Sequence, residues 1–210
     1  ANEMVPVAIN NAIDRLAPAI RFFQHGDGRL ALFNGGLKLP EGYCDNILSL
    51  SDATGRAPQR FPQGGFERMK AGRALLILES GEGGRREGEQ SHAGLMSFEF
   101  SYGRERLIVN CGAVRDPESA WGKALAATAA HSTLGFDNIN AIFPKRPVSG
   151  EDHNLAVRNE DEGNIWLDLE SNGYLDTVGV LHRRFAGLKP LQGFAELSDK
   201  PIIAPQRHVF

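Results

Sequence analysis

Cysteine is scarce: Cys44 and Cys111 are the only two in 210 residues, enough for one bridge and too few for a disulfide framework or a zinc ribbon. Single buried thiols are the expected state. Long apolar runs are missing as well, and none approaches the roughly 18 residues that a membrane-spanning helix needs. Nor is there a cationic excess, since 23 Lys and Arg stand against 26 Asp and Glu for a net charge of −3. A nucleic-acid surface neutralises phosphates with clustered positive charge, so that class of partner is excluded. No serine sits in a Gly-x-Ser-x-Gly elbow, which argues against a serine hydrolase. The glycines at 26–28 and 81–84 do not open a helix after a strand, which argues against a dinucleotide or phosphate cradle. A basic start followed by an apolar segment is absent, so no secretory leader is expected.

What remains is an ordinary globular composition, 41% hydrophobic and 23% charged, sufficient for one sizeable domain or two small ones. Near the N-terminus Ile9, Ile13, Leu16, Ile20 and Phe23 recur at spacings of four and three, the stripe of an amphipathic helix. Pro18 removes one helical hydrogen bond, so the helix either kinks there or starts later than the pattern suggests. His25-Gly26-Asp27-Gly28 closes it, with glycines to supply the positive φ of a cap and turn.

Beyond residue 29 the period falls to two and the runs shorten. Residues 29–33 and 73–79 are predicted strands, the second buried on both faces because Ala-Leu-Leu-Ile-Leu is continuously apolar. Met96, Phe98 and Phe100 alternate with Ser97, Glu99 and Ser101, then turn at Tyr102-Gly103-Arg104 into Leu107-Ile108-Val109, a hairpin with one apolar side. A second hairpin joins Leu155 and Val157 to Ile165, Leu167 and Leu169, and a further strand carries Val178, Val180 and His182. Residues 51–72 and 81–90 are too rich in Gly and Arg to be expected in a core. Residues 124–130 form either a short helix or a crossing loop. The predicted fold is mainly β: an antiparallel β-sandwich preceded by one N-terminal α-helix.

Six histidines, at 25, 92, 131, 153, 182 and 208, share no short metal-binding spacing, so any metal site must be assembled by strands that meet in space. His92 and His131 each stand at the entrance to a predicted strand, placed either to face a cleft or to serve as ordinary turn residues. Asn110 ends the strand 107–109, where its amide either holds a ligand or eases the turn before Gly112.

Three ordered segments carry a resemblance: residues 12–36, containing Arg21-Phe22-Phe23-Gln24-His25-Gly26-Asp27-Gly28; residues 91–100 with Leu107-Ile108-Val109-Asn110-Cys111-Gly112; and Ala129-Ala130-His131-Ser132-Thr133-Leu134. Together they resemble the heparinase II/III-like proteins of bacteria as far as about Arg184. The resemblance implies a polysaccharide lyase in which a helical toroid packs on a β-sandwich around a cleft. Residues 1–24 would then be the last helix of the toroid and 25–210 the sandwich. It further implies β-elimination on a uronate-containing, heparin-like or other acidic polysaccharide, in the periplasm or cell envelope. His92 and His131 match catalytic and metal-binding histidines, Asn110 falls where an acidic ligand is usual, and Gln90 and Asn110 face the substrate. The implied cofactor is a divalent metal such as zinc, and the implied partners are the acidic polysaccharide and the missing N-terminal toroid.

The departures are equally specific. In the His-x-His-x-Asp pattern that the resemblance leads one to expect, Gln90 replaces the first histidine and Gly94 the aspartate. Gln cannot shuttle a proton near neutral pH and Asn110 carries no charge, so weak activity is expected. A non-catalytic sandwich that binds acidic polysaccharide or serves a structural role is the alternative. After Arg184 the strand pattern is expected to end.

Overall fold

The computed structural model describes residues 6–51, 53–80, 92–141, 155–189 and 194–203. Helix α1 (Val7–Phe23) runs through Pro18 and is followed by α2 (Tyr43–Leu50). A five-stranded antiparallel sheet then forms in the order β1 (Arg60–Phe61), β2 (Phe66–Ala71), β3 (Ala74–Glu79), β4 (Phe98–Tyr102) and β5 (Glu105–Ile108). Helix α3 (Ala120–Ala126) leads to the four-stranded antiparallel sheet β6 (Leu155–Asp161), β7 (Asn164–Tyr174), β8 (Val180–Lys189) and β9 (Phe194–Ile203), with α4 (Leu175–Val178) between β7 and β8.

Period two explains the layers. Even-numbered residues of β3, Ala74, Leu76 and Leu78, join Met69, Phe98, Leu167, Leu169, Ala186 and Leu188 in a core between the two sheets. Its odd-numbered residues, Leu75 and Ile77, face the other way and join Phe22, Ala31, Phe33 and Phe66. The whole of β3 is therefore buried on both faces, as its apolar run predicts. Aromatic edge-to-face contacts, Phe22 to Phe61 at 5.0 Å and Phe23 to Phe66 at 4.9 Å, fasten the end of α1 to this outer face.

Several expectations are corrected. The α1 stripe is only partly covered: Ile9 and Leu16 are exposed, while Phe23 packs on the sheet beside the buried Ala17 and Phe22, because the last turns of the helix are the part that reaches the sheet. Residues 29–33 form an isolated antiparallel bridge, Leu30 opposite Gln24, rather than a strand, because the Leu32 N–H donates to the Glu99 carboxylate instead of extending the ladder. Within 51–72, Phe66, Glu67, Met69 and Ala71 are buried, and Glu67 is neutralised by Arg60 and by Arg158 of β6 at 3.1 Å. Residues 124–130 resolve as the end of α3 and a 3-10 turn. The strand pattern does not end at Arg184; β8 continues to Lys189 and pairs along its length with β9. Val178 lies in α4 rather than in a strand. Both cysteines are free, Cys44 buried and Cys111 exposed. The segment 81–90, with Gln90, and His153 and His208 lie outside the described residues.

Candidate functional site

Two loops bring His92 and His131 together. The first, residues 92–97, is laced to the second, residues 126–133, by three bonds: Ala93 N–H to the Ala126 carbonyl (2.8 Å), Thr128 Oγ1 to the Ala93 carbonyl (2.8 Å) and Thr133 Oγ1 to the Leu95 carbonyl (2.6 Å); Ser97 N–H to the Gly94 carbonyl (2.9 Å) closes the first loop on itself. The imidazoles meet edge to face, 5.4 Å between centroids. A Cβ on Gly94 would lie 2.6 Å from Cδ2 of His131, so the ring occupies the space that any side chain at 94 would need. Glycine at this departure from the expected aspartate is thus what admits the second imidazole.

His131 Nδ1 lies 2.9 Å from the Ala127 carbonyl, which can only accept, so Nδ1 carries the proton and Nε2 a lone pair. Burial pushes the His131 pKa down against the opposing pull of that bond, and burial followed by the neighbouring His131 pushes His92 down. The pair is neutral at pH 7. Asn110 lies behind them, 1% exposed, accepting the Ser132 N–H at Oδ1 (3.2 Å) while its own N–H donates to Glu99 (3.1 Å). Its Nδ2 is buried with no hydrogen-bond partner among the described residues.

Of the three, His92 alone lines the adjacent cleft, a space of about 310 Å³ bounded by Leu37, Arg115, Glu118, Lys123 and Ala126. That is at the lower end of the range of about 300–1,000 Å³ usual for ligand pockets. One wall is α3, whose N-terminus is capped by Ser119 accepting the Gly122 N–H at 3.0 Å. A Cβ on Gly122 would stand 2.5 Å from two carbonyls of the preceding loop, so glycine lets the helix start against it. Arg115 and Lys123 are exposed on the cleft wall, and Lys123 is paired with Glu118 at 3.2 Å, so the cationic character there comes from Arg115.

The two imidazoles would supply two nitrogen ligands to a metal. Among the described residues no group of three His, Cys, Asp or Glu side chains forms one. Asn110 directs its oxygen at Ser132 and otherwise presents a donor, and Glu99 is fully engaged elsewhere. These residues do not fit a centre of two histidines and one carboxylate.

Sequence reasoning missed the polar network beneath the site. Glu99, 0% exposed, accepts from Leu32 and Asn110 at Oε1 and lies 3.1 Å from His25 Nε2 at Oε2. His25 Nδ1 is 2.7 Å from Ser101 Oγ. Arg106 grips Asp27 with two bonds (2.9 and 3.1 Å) and the Leu30 carbonyl (3.1 Å). Burial tends to raise the Asp27 pKa, but bonds from Arg106 and the Arg29 N–H outweigh it and hold the carboxyl below its usual range. The signal was present in the alternation Ser97, Glu99, Ser101, whose polar side is not solvated but covered by the turn after α1. A second cluster, His182, Arg184 and Asp199, joins β8 and β9.

The shifts set a pH dependence. An imidazole whose pKa falls on folding binds protons more readily in the unfolded chain, so stability declines as pH falls through 6.5 toward the depressed values of His92 and His131. Asp27 and Asp199 are shifted the other way relative to their charge, and the stability they contribute is lost as pH falls below 3.8. Urea midpoints from pH 8 to 3 are expected to show a shallow decline below about 6.5 and a steeper one below about 4. The His92→Gln, His131→Gln double variant is expected to lose the first phase; an unchanged first phase contradicts the burial of the pair.

Residues 53–199 match the heparinase II/III-like C-terminal family. The chain is 30% identical to FtsZ-localized protein C of Caulobacter vibrioides, over 95% of this chain and 36% of that protein. In fold it resembles heparan sulfate lyase HepC of Pedobacter heparinus, with a TM-score of 0.67, 16% identity and coverage of 94% of this chain and 33% of that one. A heparinase III gene product gives a TM-score of 0.64 at 13% identity, covering 87% of this chain and 31% of that one. The chain spans about a third of the length of each of these proteins. With the sandwich, the outer helix and the matched span all in agreement, the chain belongs to the heparinase II/III-like family through its C-terminal domain.

Proposed function

We propose that the His92 cleft is the acidic-saccharide site of a heparinase-type lyase fold, and that this chain alone recognises a uronate-containing polysaccharide while eliminating it weakly or not at all. The observation that carries this reading is the placement of His92, backed by the neutral His131, at a cleft flanked by exposed Arg115 and Lys123. Arg presents a planar fork to a carboxylate or sulfate, and His92 offers a nitrogen at the cleft wall. Weak turnover follows from the lack of a third ligand among the described residues, from Gln90 in place of a histidine, and from a chain that spans about a third of the length of its relatives. Residues 1–24 are read as the last helix of a helical toroid, whose remaining helices would cover Val7, Ile9 and Leu16, all exposed on α1. The reaction site of the assembled protein is placed in the periplasm or cell envelope.

Calorimetric titration with a polyuronate oligosaccharide tests the reading. Binding is expected for the wild-type chain, with affinity reduced about tenfold or more in His92→Ala and Arg115→Ala, the scale of a lost charge-assisted bond. Equal affinity for a neutral oligosaccharide of the same length would overturn it.

A second reading is favoured by one observation, the relative named for its localisation with FtsZ, which matches nearly the whole chain. In that reading the sandwich is a structural part of an assembly that contains FtsZ. Co-sedimentation of this chain with FtsZ polymers, unaffected by His92→Ala, would support it over saccharide recognition.

A further inference from the structure

We infer that Arg184 is the positioning residue of the histidine pair, and that the β8–β9 hairpin fixes the alignment of His131 through Asp199. Arg184 is 2% exposed, and its guanidinium lies 5.1 Å over the Phe98 ring. One nitrogen, Nη1, donates to the carbonyls of Met96 and, at 2.9 Å, of Ser132. Its other two nitrogens clasp Asp199, Nε to Oδ1 at 2.7 Å and Nη2 to Oδ2 at 2.8 Å. Asp199 stands directly across the strand pair from Arg184, and its Oδ1 also accepts from His182 Nε2 at 2.8 Å.

The two carbonyls belong to the two loops that carry the imidazoles. Ser132 directly follows His131, and it is held from both sides, its N–H by Asn110 and its carbonyl by Arg184. Met96 ends the turn that begins at His92 and keeps a left-handed backbone, φ 57°, which a residue with a side chain adopts only when its surroundings impose it. A single planar fork thus spans both loops from the second sheet. Lysine, with one nitrogen, cannot hold two carbonyls and a bidentate carboxylate at once. A buried ion pair adds little net stability over apolar packing, so orientation is the role that this geometry serves.

The inference rests on the reading of His92, backed by His131, as the ligand-facing group, and the test separates the two. Long-range imidazole nitrogen–proton spectra of the labelled 210-residue chain report each ring's tautomer. In the wild type His131 is expected to show protonated Nδ1 and bare Nε2. Arg184→Lys and Asp199→Asn are each expected to replace that pattern with averaged tautomers at His131, while His25, bonded to Ser101 and Glu99 on the far face of the first sheet, keeps its own pattern. Polyuronate affinity is expected to drop about tenfold or more in both variants, the usual scale for losing a supporting shell. If Arg184→Lys fails to fold, Asp199→Asn, which leaves the guanidinium in place, decides alone. An unchanged His131 pattern in a folded variant overturns the positioning role. A changed pattern in chains that never bind polyuronate upholds it and overturns the saccharide reading instead.

Discussion

Replacing Glu99 by Ala is expected to destabilise the protein by about 3–5 kcal/mol, the range for removing one member of a buried charged network. The side chain is inaccessible and serves four groups: the backbone N–H of Leu32, the backbone N–H of Asn110, His25 and, at 3.7 Å, Arg106. Truncation strands the buried Asn110 N–H and the half-buried Leu32 N–H and leaves Arg106 to Asp27 and the Leu30 carbonyl. An unpaired buried donor costs about 1–3 kcal/mol, so the two backbone groups alone account for most of the loss. Glu99→Gln keeps one accepting oxygen and the shape, and is expected to fall between wild type and Ala. Urea unfolding measures both. A loss under about 1 kcal/mol for Glu99→Ala would mean that these groups find water, and that the segment after α1 is not sealed onto the sheet.

The second large effect is expected at Gly26. A Cβ there would lie 1.9 Å from the carbonyl oxygen of Gly103 and 2.8 Å from its carbon. The obstacle is backbone in the β4–β5 turn, itself in the left-handed region at φ 62°, and it has no side chain to swing aside. Gly26 therefore serves close approach, while Gly28, at φ 81°, supplies the turn conformation. Gly26→Ala is expected to cost about 3 kcal/mol or more through backbone displacement. Gly72→Ala is the control: its φ of 57° is left-handed but nothing lies within 4 Å, so only the intrinsic penalty of about 1–2 kcal/mol applies. Equal losses in thermal unfolding would show that the turn after α1 does not press on the hairpin.

Both effects fall at the junction between the helix and the sandwich, and the sequence revealed this junction only in part. Period-two alternation in 96–100, 165–169 and 180–182 marked strands because apolar side chains there face one common core, whereas in β6 the phase is reversed: Ala156 packs on the core and Val157 is exposed. The continuous run 74–78 marked the doubly buried strand for the same reason. Residues 66–71 escaped notice because Glu67 and Arg68 look solvated until Arg158, 91 positions from Glu67, arrives to pair with the carboxylate. Glu99 escaped for a related reason: a polar residue alternating with phenylalanine reads as the wet side of a hairpin unless another element covers it. Asp199, in a segment that seemed to have lost its strand pattern, acquires its role only when β9 pairs with β8.

The histidine site shows the same division. Motif order singled out His92, His131 and Asn110, and the structure sets the two rings in contact with Asn110 bonded to the residue after His131. Spacing along the chain could not reveal that Asn110 is sealed from the cleft, or that Gly94 makes room for the His131 ring. Those are facts of loop packing, decided by Thr128, Thr133 and Arg184, each of which bonds a backbone carbonyl more than 30 positions away.

On the function proposed above, the chain recognises a uronate polysaccharide without efficient elimination. The most direct measurement follows one purified sample by calorimetry for binding and by ultraviolet absorbance for the unsaturated uronate that elimination creates, with and without added zinc. The account predicts saturable binding that is lost in His92→Ala, together with at most a trace of new absorbance under either condition. Rapid, zinc-dependent growth of absorbance would contradict it, since that would require a complete metal centre and both halves of the cleft within these 210 residues.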